Sequence, residues 1–193
     1  MNDFAHNGTL QQILTFYKHG VSYPVAGRDD LMRLIPSLRS RYPSYASFGA
    51  SRVEDIFPAA DLSQATVRAA RVLASSVAVD QGNGTYRLEP LPVEVQFAPV
   101  FASLVRDFDG DGRPDLLLAG NLYGAQPVYG AYDASAGVLL HGLGRGRFTS
   151  TDWTDPGIEG EVRDMKLVRH AGGGSLIAVA RNDATLLILR PEP

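Results

Sequence analysis

The apolar residues of this chain lie mostly in short runs that turn-forming residues separate, a pattern typical of many short strands. Twenty glycines and twelve prolines among 193 residues supply the turns. Between residues 99 and 150 the pattern predicts four strands: Phe101–Val105, Leu116–Gly120, Gly137–His141 and Arg147–Thr151. Further along it predicts three more: Val162–Val168, Leu176–Ala180 and Thr185–Leu189. The expected fold class is all-β.

Residues 27–60 differ, because their apolar residues follow the spacing of one helix face. This apolar stripe consists of residues spaced three or four positions apart: Leu31, Leu34, Ile35 and Leu38. Pro36 limits the continuity of such a helix and is suited to begin a second short one. We therefore expect a small helical insertion in an all-β chain.

The residues that follow predict more short elements. Ser51 and Glu54 have the spacing of a capping box before a helix that Pro58 ends. We expect another short helix near Leu62 and then a strand from Val67 to Val79. A hairpin turn at Gly82–Gly84 leads to a strand that ends near Leu91.

The densest group of charged residues runs from Asp107 to Asp115 and reads DFDGDGRPD. Four carboxylates packed into nine residues repel one another unless a cation lies among them. Ca²⁺ takes about six to eight oxygen ligands, and a donor set made only of oxygens favours it. An ordinary Asp-Gly hairpin turn is the alternative. The predicted calcium ligands are Asp107, Asp109, Asp111, Asp115 and, through its backbone carbonyl, Arg113.

The loop is not an EF-hand. An EF-hand carries a glutamate at the twelfth loop position and has a helix on each side, whereas the twelfth position here is Leu118. The apolar runs before and after the loop are short and predict strands. The sequence therefore predicts a calcium loop that joins two strands.

A second segment, Asp3–Gln11, aligns with this loop without gaps. Asp3 and Gly8 stand where the loop has Asp107 and Gly112, while alanine and glutamine replace two carboxylates. We interpret the segment as a degenerate copy that keeps the turn and has lost most of its ligands. The glycine-rich stretches GNGTY (82–86) and GRGRF (144–148) are also similar to each other. Repeated units of this kind are typical of propeller blades.

The stretch LVRDFDGDGRPDLLLAGN (104–121) resembles the FG-GAP/VCBS repeat, a blade motif of β-propellers. Three other stretches are similar to the C-terminal part of large bacterial VCBS proteins of the cartilage-acidic-protein type: VSYPVAGRDDLMRLIPSLR, VEDIFP and YDASAGVLLHGLGRGRF. The resemblance implies a calcium-stabilised, non-catalytic propeller scaffold that binds extracellular protein or polysaccharide, as in cell adhesion. It places the protein outside a bacterial cell or in the cell envelope.

On this basis the chain divides into propeller units with one insertion. The expected segments are a partial blade with the degenerate loop (1–26), the helical insertion (27–60), a partial blade (61–98), a full calcium-binding blade (99–150) and a C-terminal blade (151–193). Propellers usually have about four to eight blades, so about three cannot close a ring. We therefore expect either a piece of a larger propeller chain or self-assembly.

Composition excludes several classes of function. The net charge of −3 gives no general attraction to nucleic acid or anionic membranes. Without cysteine there is neither a disulfide framework nor thiol chemistry. The first residues lack the pattern of a signal peptide, and no apolar stretch is long enough to span a membrane. Two interpretations follow: the protein is cytosolic, or it is a piece of a secreted chain whose signal lies upstream. We favour the second, because the low free calcium of a cytosol would poorly occupy a loop without a ligand at its twelfth position.

Other candidate sites are less specific. Tyr123, Tyr129, Tyr132 and Asp133 form an aromatic group after the second strand of the calcium unit, where a ligand could bind. Acidic residues around Trp153 could instead serve a glycan-active enzyme, although a solvated loop explains them as well; they are Asp152, Asp155, Glu159, Glu161 and Asp164. His141 ends an apolar strand and is interpreted as a hydrogen-bonded structural imidazole. A third interpretation of the chain is a purely structural fragment of a larger protein, with no ligand of its own.

Overall fold

The computed structural model describes residues 1–125, 127, 130–150 and 156–191. Within these ranges the regular structure is mostly short strands in small antiparallel sheets, with few helices. The all-β class is thus confirmed at this level. The chain forms two compact units, Met1–Arg71 and Val72–Pro193. None of the described helices is long and apolar enough to cross a membrane.

The first unit combines one β-hairpin with five short helices. Its strands, β1 (Thr15–Lys18) and β2 (Val21–Pro24), pair antiparallel. The helices are α1 (Arg28–Leu34), α2 (Leu38–Arg41), α3 (Tyr45–Phe48), α4 (Val53–Ile56) and α5 (Ala59–Gln64). The helices predicted within residues 27–60 and near Leu62 are confirmed.

One apolar face of these helices builds the core of the first unit. Leu31, Ile35 and Leu38 are buried and pack in one cluster with Phe4 and Phe57. Leu34 is 48 % exposed, so its place on this face was predicted wrongly. It lies at the edge of the stripe, and α1 ends there because Pro36 disfavours a helical conformation in the residue before it.

The predicted capping box at Ser51 and Glu54 is also wrong, by one residue. Helix α4 begins at Val53, so its third residue is Asp55. Asp55 Oδ2 accepts a hydrogen bond from Arg52 N at 2.9 Å, and its other oxygen pairs with the Arg52 guanidinium. A capping box of two serines forms instead at the start of α3, where Ser47 N donates to Oγ of the N-cap residue Ser44 at 3.2 Å.

The second unit contains three antiparallel sheets and a 3₁₀ turn at Val93–Gln96. One sheet pairs β3 (Ser76–Asp80) with β4 (Tyr86–Pro90). The four-stranded sheet has the order β5 (Val100–Arg106), β6 (Asp115–Gly120), β7 (Val138–Gly144) and β8 (Arg147–Thr149). The three-stranded sheet runs from β9 (Val162–Arg169) through β10 (Ser175–Arg181) to β11 (Leu187–Leu189).

These strands confirm the predicted ones between residues 99 and 150 and beyond residue 160, with ends that differ by a few residues. The prediction of Thr151 as a strand end lies outside the described residues. The strand predicted from Val67 is wrong, because β3 begins only at Ser76. Its partner β4 has five residues, so the stretch before Ser76 has no strand to pair with, and Val67 is 78 % exposed.

Strand β6 lies at the centre of the second unit and is covered on both faces. Leu117 and Ala119 pack in one cluster with residues of the three-stranded sheet. Leu118 packs on the other face with Val95 and Leu140. A strand buried on both faces has apolar residues at consecutive positions, which explains the continuous run in the sequence. This buried strand fixes one end of the aspartate loop.

Candidate metal centre

The aspartate loop connects β5 to β6, and its ends are joined by the sheet. Arg106 and Asp115 are the last paired positions of the two strands. The carboxylates of Asp107, Asp109 and Asp111 point together, with one oxygen of each within 4.8 Å of the others. The structure thus brings together three of the four predicted side-chain ligands.

Asp107 organises the turn through backbone hydrogen bonds. Its two oxygens accept from Gly110 N at 2.7 Å and from Gly112 N at 2.9 Å. Gly112 has φ 83°, a conformation that costs glycine little and other residues more. The spacing of aspartate and glycine therefore fixes a tight turn even before an ion is considered.

Asp115 has a different environment, because its side chain is completely buried. One oxygen accepts from Phe108 N and the other from Gly142 N on β7, both at 2.8 Å. A Cβ at position 142 would lie 2.1 Å from the backbone oxygen of Pro114, so the close approach of β7 to the loop requires glycine there. Asp115 therefore attaches the end of the loop to the neighbouring strand.

Two basic side chains also reach the loop. Arg113 Nε donates to Asp111 Oδ2 at 2.7 Å, and this contact lowers the pKa of Asp111. His141 Nδ1 lies 3.0 Å from Asp109 Oδ2 and 3.9 Å from Asp115 Oδ1. The ligand atoms of Asp109, Asp115 and His141 also lie within 4.8 Å of one another, as those of a metal site would, so the structural role of His141 stays a prediction. Its partner could not be read from the sequence, since the two residues are 32 positions apart.

The donor set fits a hard divalent cation. All side-chain donors of the predicted site are carboxylate oxygens, and a carboxylate oxygen that accepts one hydrogen bond keeps a further lone pair. Asp107, Asp109 and Asp111 would hold such an ion, with Asp115 at the closing position. The guanidinium of Arg113 binds the carboxylate of Asp111 directly, so an ion would have to share or displace it.

The segment Asp3–Gln11 forms a similar turn in the first unit. Asp3 accepts from Asn7 N at 3.0 Å and from Gly8 N at 2.7 Å, and these hydrogen bonds lower its pKa. Asn2 and Gln11 form an antiparallel bridge, at the positions that align with Arg106 and Asp115. Asp3 therefore makes the same kind of contacts as Asp107.

The predicted tyrosine group is described only in part. Tyr123 and Tyr132 are both more than 40 % exposed, and Leu122 pairs with Tyr132 in an isolated bridge. Asp133 is exposed, and Tyr129 lies outside the described residues. Among the described residues no ring contact joins these side chains.

A buried polar network is centred on Glu161, and no pattern in the sequence indicates it. This side chain is 6 % exposed and accepts hydrogen bonds from Tyr123 N at 2.6 Å, Arg163 Nη2 at 2.9 Å and Asn182 Nδ2 at 2.7 Å. The hydrogen bond from Asn182, followed by that from Tyr123, lowers the pKa of Glu161. Asn121, also buried, donates to the carbonyls of Ser135 and Gly160. The network connects three loops of the second unit.

Comparison with protein-family models, curated proteins and solved structures finds no match for this chain. The resemblance to FG-GAP/VCBS repeats therefore rests on the residues of the loop and of the quoted stretches.

Proposed function

We propose that this chain is a calcium-stabilised, non-catalytic β-propeller scaffold of FG-GAP/VCBS type that binds extracellular protein or polysaccharide. The observation that carries the proposal is the convergence of the Asp107, Asp109 and Asp111 carboxylates in the connection between two strands of one meander. The four-stranded sheet would be one full blade and the three-stranded sheet part of the next. The rest of a ring would come from a longer chain or from other copies.

In this proposal the ion has a structural role. Bound Ca²⁺ would neutralise the carboxylates and hold the β5–β6 connection in its folded form. An ion that binds only the folded state stabilises it, because binding is coupled to folding. The two similar turns support this role, since Asp3 keeps the turn contacts where most of the other carboxylates are missing.

The rival reading as a glycan-active enzyme has less support. Of the acidic residues near Trp153, Glu161 is fully engaged in hydrogen bonds and Asp164 pairs with Lys166 at 2.9 Å. Asp152, Trp153 and Asp155 lie outside the described residues. Glycoside hydrolysis needs an acid and a base that flank the scissile bond, whereas Glu161 is buried within a hydrogen-bonded network.

Thermal unfolding with and without calcium tests the proposal. At a calcium concentration 100 times Kd, binding stabilises the folded state by about 2.7 kcal/mol. For a chain of this size each kcal/mol raises Tm by about 2–4 °C, so we expect an increase of roughly 5–10 °C in the transition of the unit that holds the loop.

Two aspartate variants sharpen this test. Asp109→Ala removes a ligand and should abolish the calcium-dependent increase in Tm. Asp3→Ala is the matched control: it removes the turn contacts of the similar segment and should leave the increase intact. The proposal would be refuted if the unmodified chain had the same Tm in calcium and in the chelator EDTA.

A further inference from the structure

A groove of about 620 Å³ lies beside the aspartate loop. One wall is the start of the loop, from Arg106 to Gly110. The other is the β9–β10 turn around Gly172–Gly174, together with Arg190 after β11. A volume of this size suits a ligand of a few linked rings.

Two guanidinium groups line this groove without a charged partner. Within the part of the chain that the structure describes, Arg106 forms neither an ion pair nor a side-chain hydrogen bond, and its Nη1 is buried. Its guanidinium lies over the ring of Phe108, with 6.0 Å between Cζ and the ring centroid. Arg190 likewise has no acidic partner among the described residues. Arg106 as a residue is only partly buried and Arg190 is exposed, so an anionic group in the groove would supply the charged acceptor that both guanidinium groups lack.

The aspartates on the same wall do not supply this acceptor. Among the described residues no ion pair or hydrogen bond joins Asp107 or Asp109 to Arg106, and both aspartates are bonded instead within the loop and to His141. Bound calcium would also neutralise the negative charge of these two aspartates. The groove holds two arginines and two aspartates, so with calcium bound to the aspartates the arginines would be its uncompensated charges, with the apolar side chains of Phe108, Leu176 and Pro191 beside them.

We propose that this groove binds an acidic sugar, with Arg106 and Arg190 pairing with its carboxylate. A guanidinium binds a carboxylate through two parallel hydrogen bonds. The apolar side chains offer a surface to the C–H face of a sugar ring. The inference rests on the proposed function, because it specifies the polysaccharide class that the scaffold binds and places it next to the calcium loop.

Calorimetric titration of the full chain with trigalacturonic acid, at saturating calcium, tests this inference. The fully methyl-esterified trimer is the matched neutral ligand. We expect the acid to bind and the ester not to bind. Arg106→Gln and Arg190→Gln should each weaken binding of the acid about tenfold, as expected for loss of a hydrogen bond to a charged group. Arg147→Gln removes an exposed arginine of β8 away from the groove and should not change binding.

Several outcomes would overturn the inference. They are equal binding of acid and ester, unchanged binding in both arginine variants, or binding of inorganic sulfate as tight as that of the trimer. Arg190 is exposed, so its variant keeps the test valid if Arg106→Gln fails to fold. Calcium is titrated first in the same instrument. Calcium binding without trimer binding refutes the groove alone, whereas trimer binding without calcium binding refutes the calcium site alone.

Discussion

The individual carboxylates of this protein lie in different environments. Asp115 is completely buried and accepts only backbone hydrogen bonds, whereas Asp109 is partly exposed and faces His141. Glu161 accepts three hydrogen bonds from three separate segments. Buried and fully bonded carboxylates of this kind hold loops together, while the partly exposed ones at 107–111 are available to an ion.

Glu161 gives a prediction about pH. Its pKa is lowered from the ordinary value of 4.5, so the folded state favours the ionised form. The stability it contributes is fully present above that value and is lost as the pH falls through the lowered pKa. Asn182→Ala removes the largest cause of the shift and should raise the pKa of Glu161, so the pH-dependent loss of stability should be smaller and should be complete at a higher pH.

The carboxyl carbon of Glu161, followed by NMR across the acidic range, measures this pKa directly. Urea unfolding at the same pH values measures the stability. Asn83→Ala is the control, because Asn83 accepts its hydrogen bonds within an exposed turn. A pKa of Glu161 that is the same with and without Asn182 would contradict the assignment.

At the scale of elements, β6 and β7 carry the core of the second unit. Leu140 of β7 is completely buried with Leu118 and Val95, while Leu143 on the same strand is 44 % exposed. The strand therefore contains one leucine that is part of the core and one that contributes little to it.

Replacing each leucine by alanine tests this difference. Leu140→Ala should lower the free energy of unfolding by about 2–5 kcal/mol, because it removes buried methyl groups and leaves a cavity. Leu143→Ala should change it by no more than about 0.5 kcal/mol. Urea unfolding followed by circular dichroism measures both. Equal losses in the two variants would contradict the packing described for β7.

At the scale of the whole molecule, the chain passes from one compact unit to the next through an exposed stretch. Residues 67–74 are exposed and lie outside helices and strands. Leu73 is 87 % exposed. Segments with few buried contacts open locally at low cost, which makes them the preferred sites of proteolysis.

Brief digestion with trypsin should therefore cut first after Arg68 or Arg71 and release two fragments of the sizes expected for the two units. Mass spectrometry identifies the cut. The variant with both Arg68→Gln and Arg71→Gln should lose this early cleavage and resist digestion longer. Early cleavage inside β9, for example after Arg163, would contradict the division into units.

The local patterns of the sequence determined the elements and the turn. Runs of apolar residues predicted the strands of the second unit, because a strand needs only a few consecutive residues of the right type. Asp107 with Gly110 and Gly112 predicted a tight turn, because its hydrogen bonds are made within six residues. Cap positions and the strand at Val67 were predicted wrongly, since each depends on a helix start or a pairing partner that local pattern does not fix.

Only the tertiary structure decided which residues meet across the sheets. His141 reaches Asp109, and Gly142 approaches Asp115, because β7 pairs with β6 in one particular register. Glu161 joins Tyr123 to Asn182, and Arg106 faces the β9–β10 turn, through packing between segments far apart in the chain. These contacts depend on long-range register and packing, whereas the aspartate spacing that predicts a metal site is a local property of the sequence.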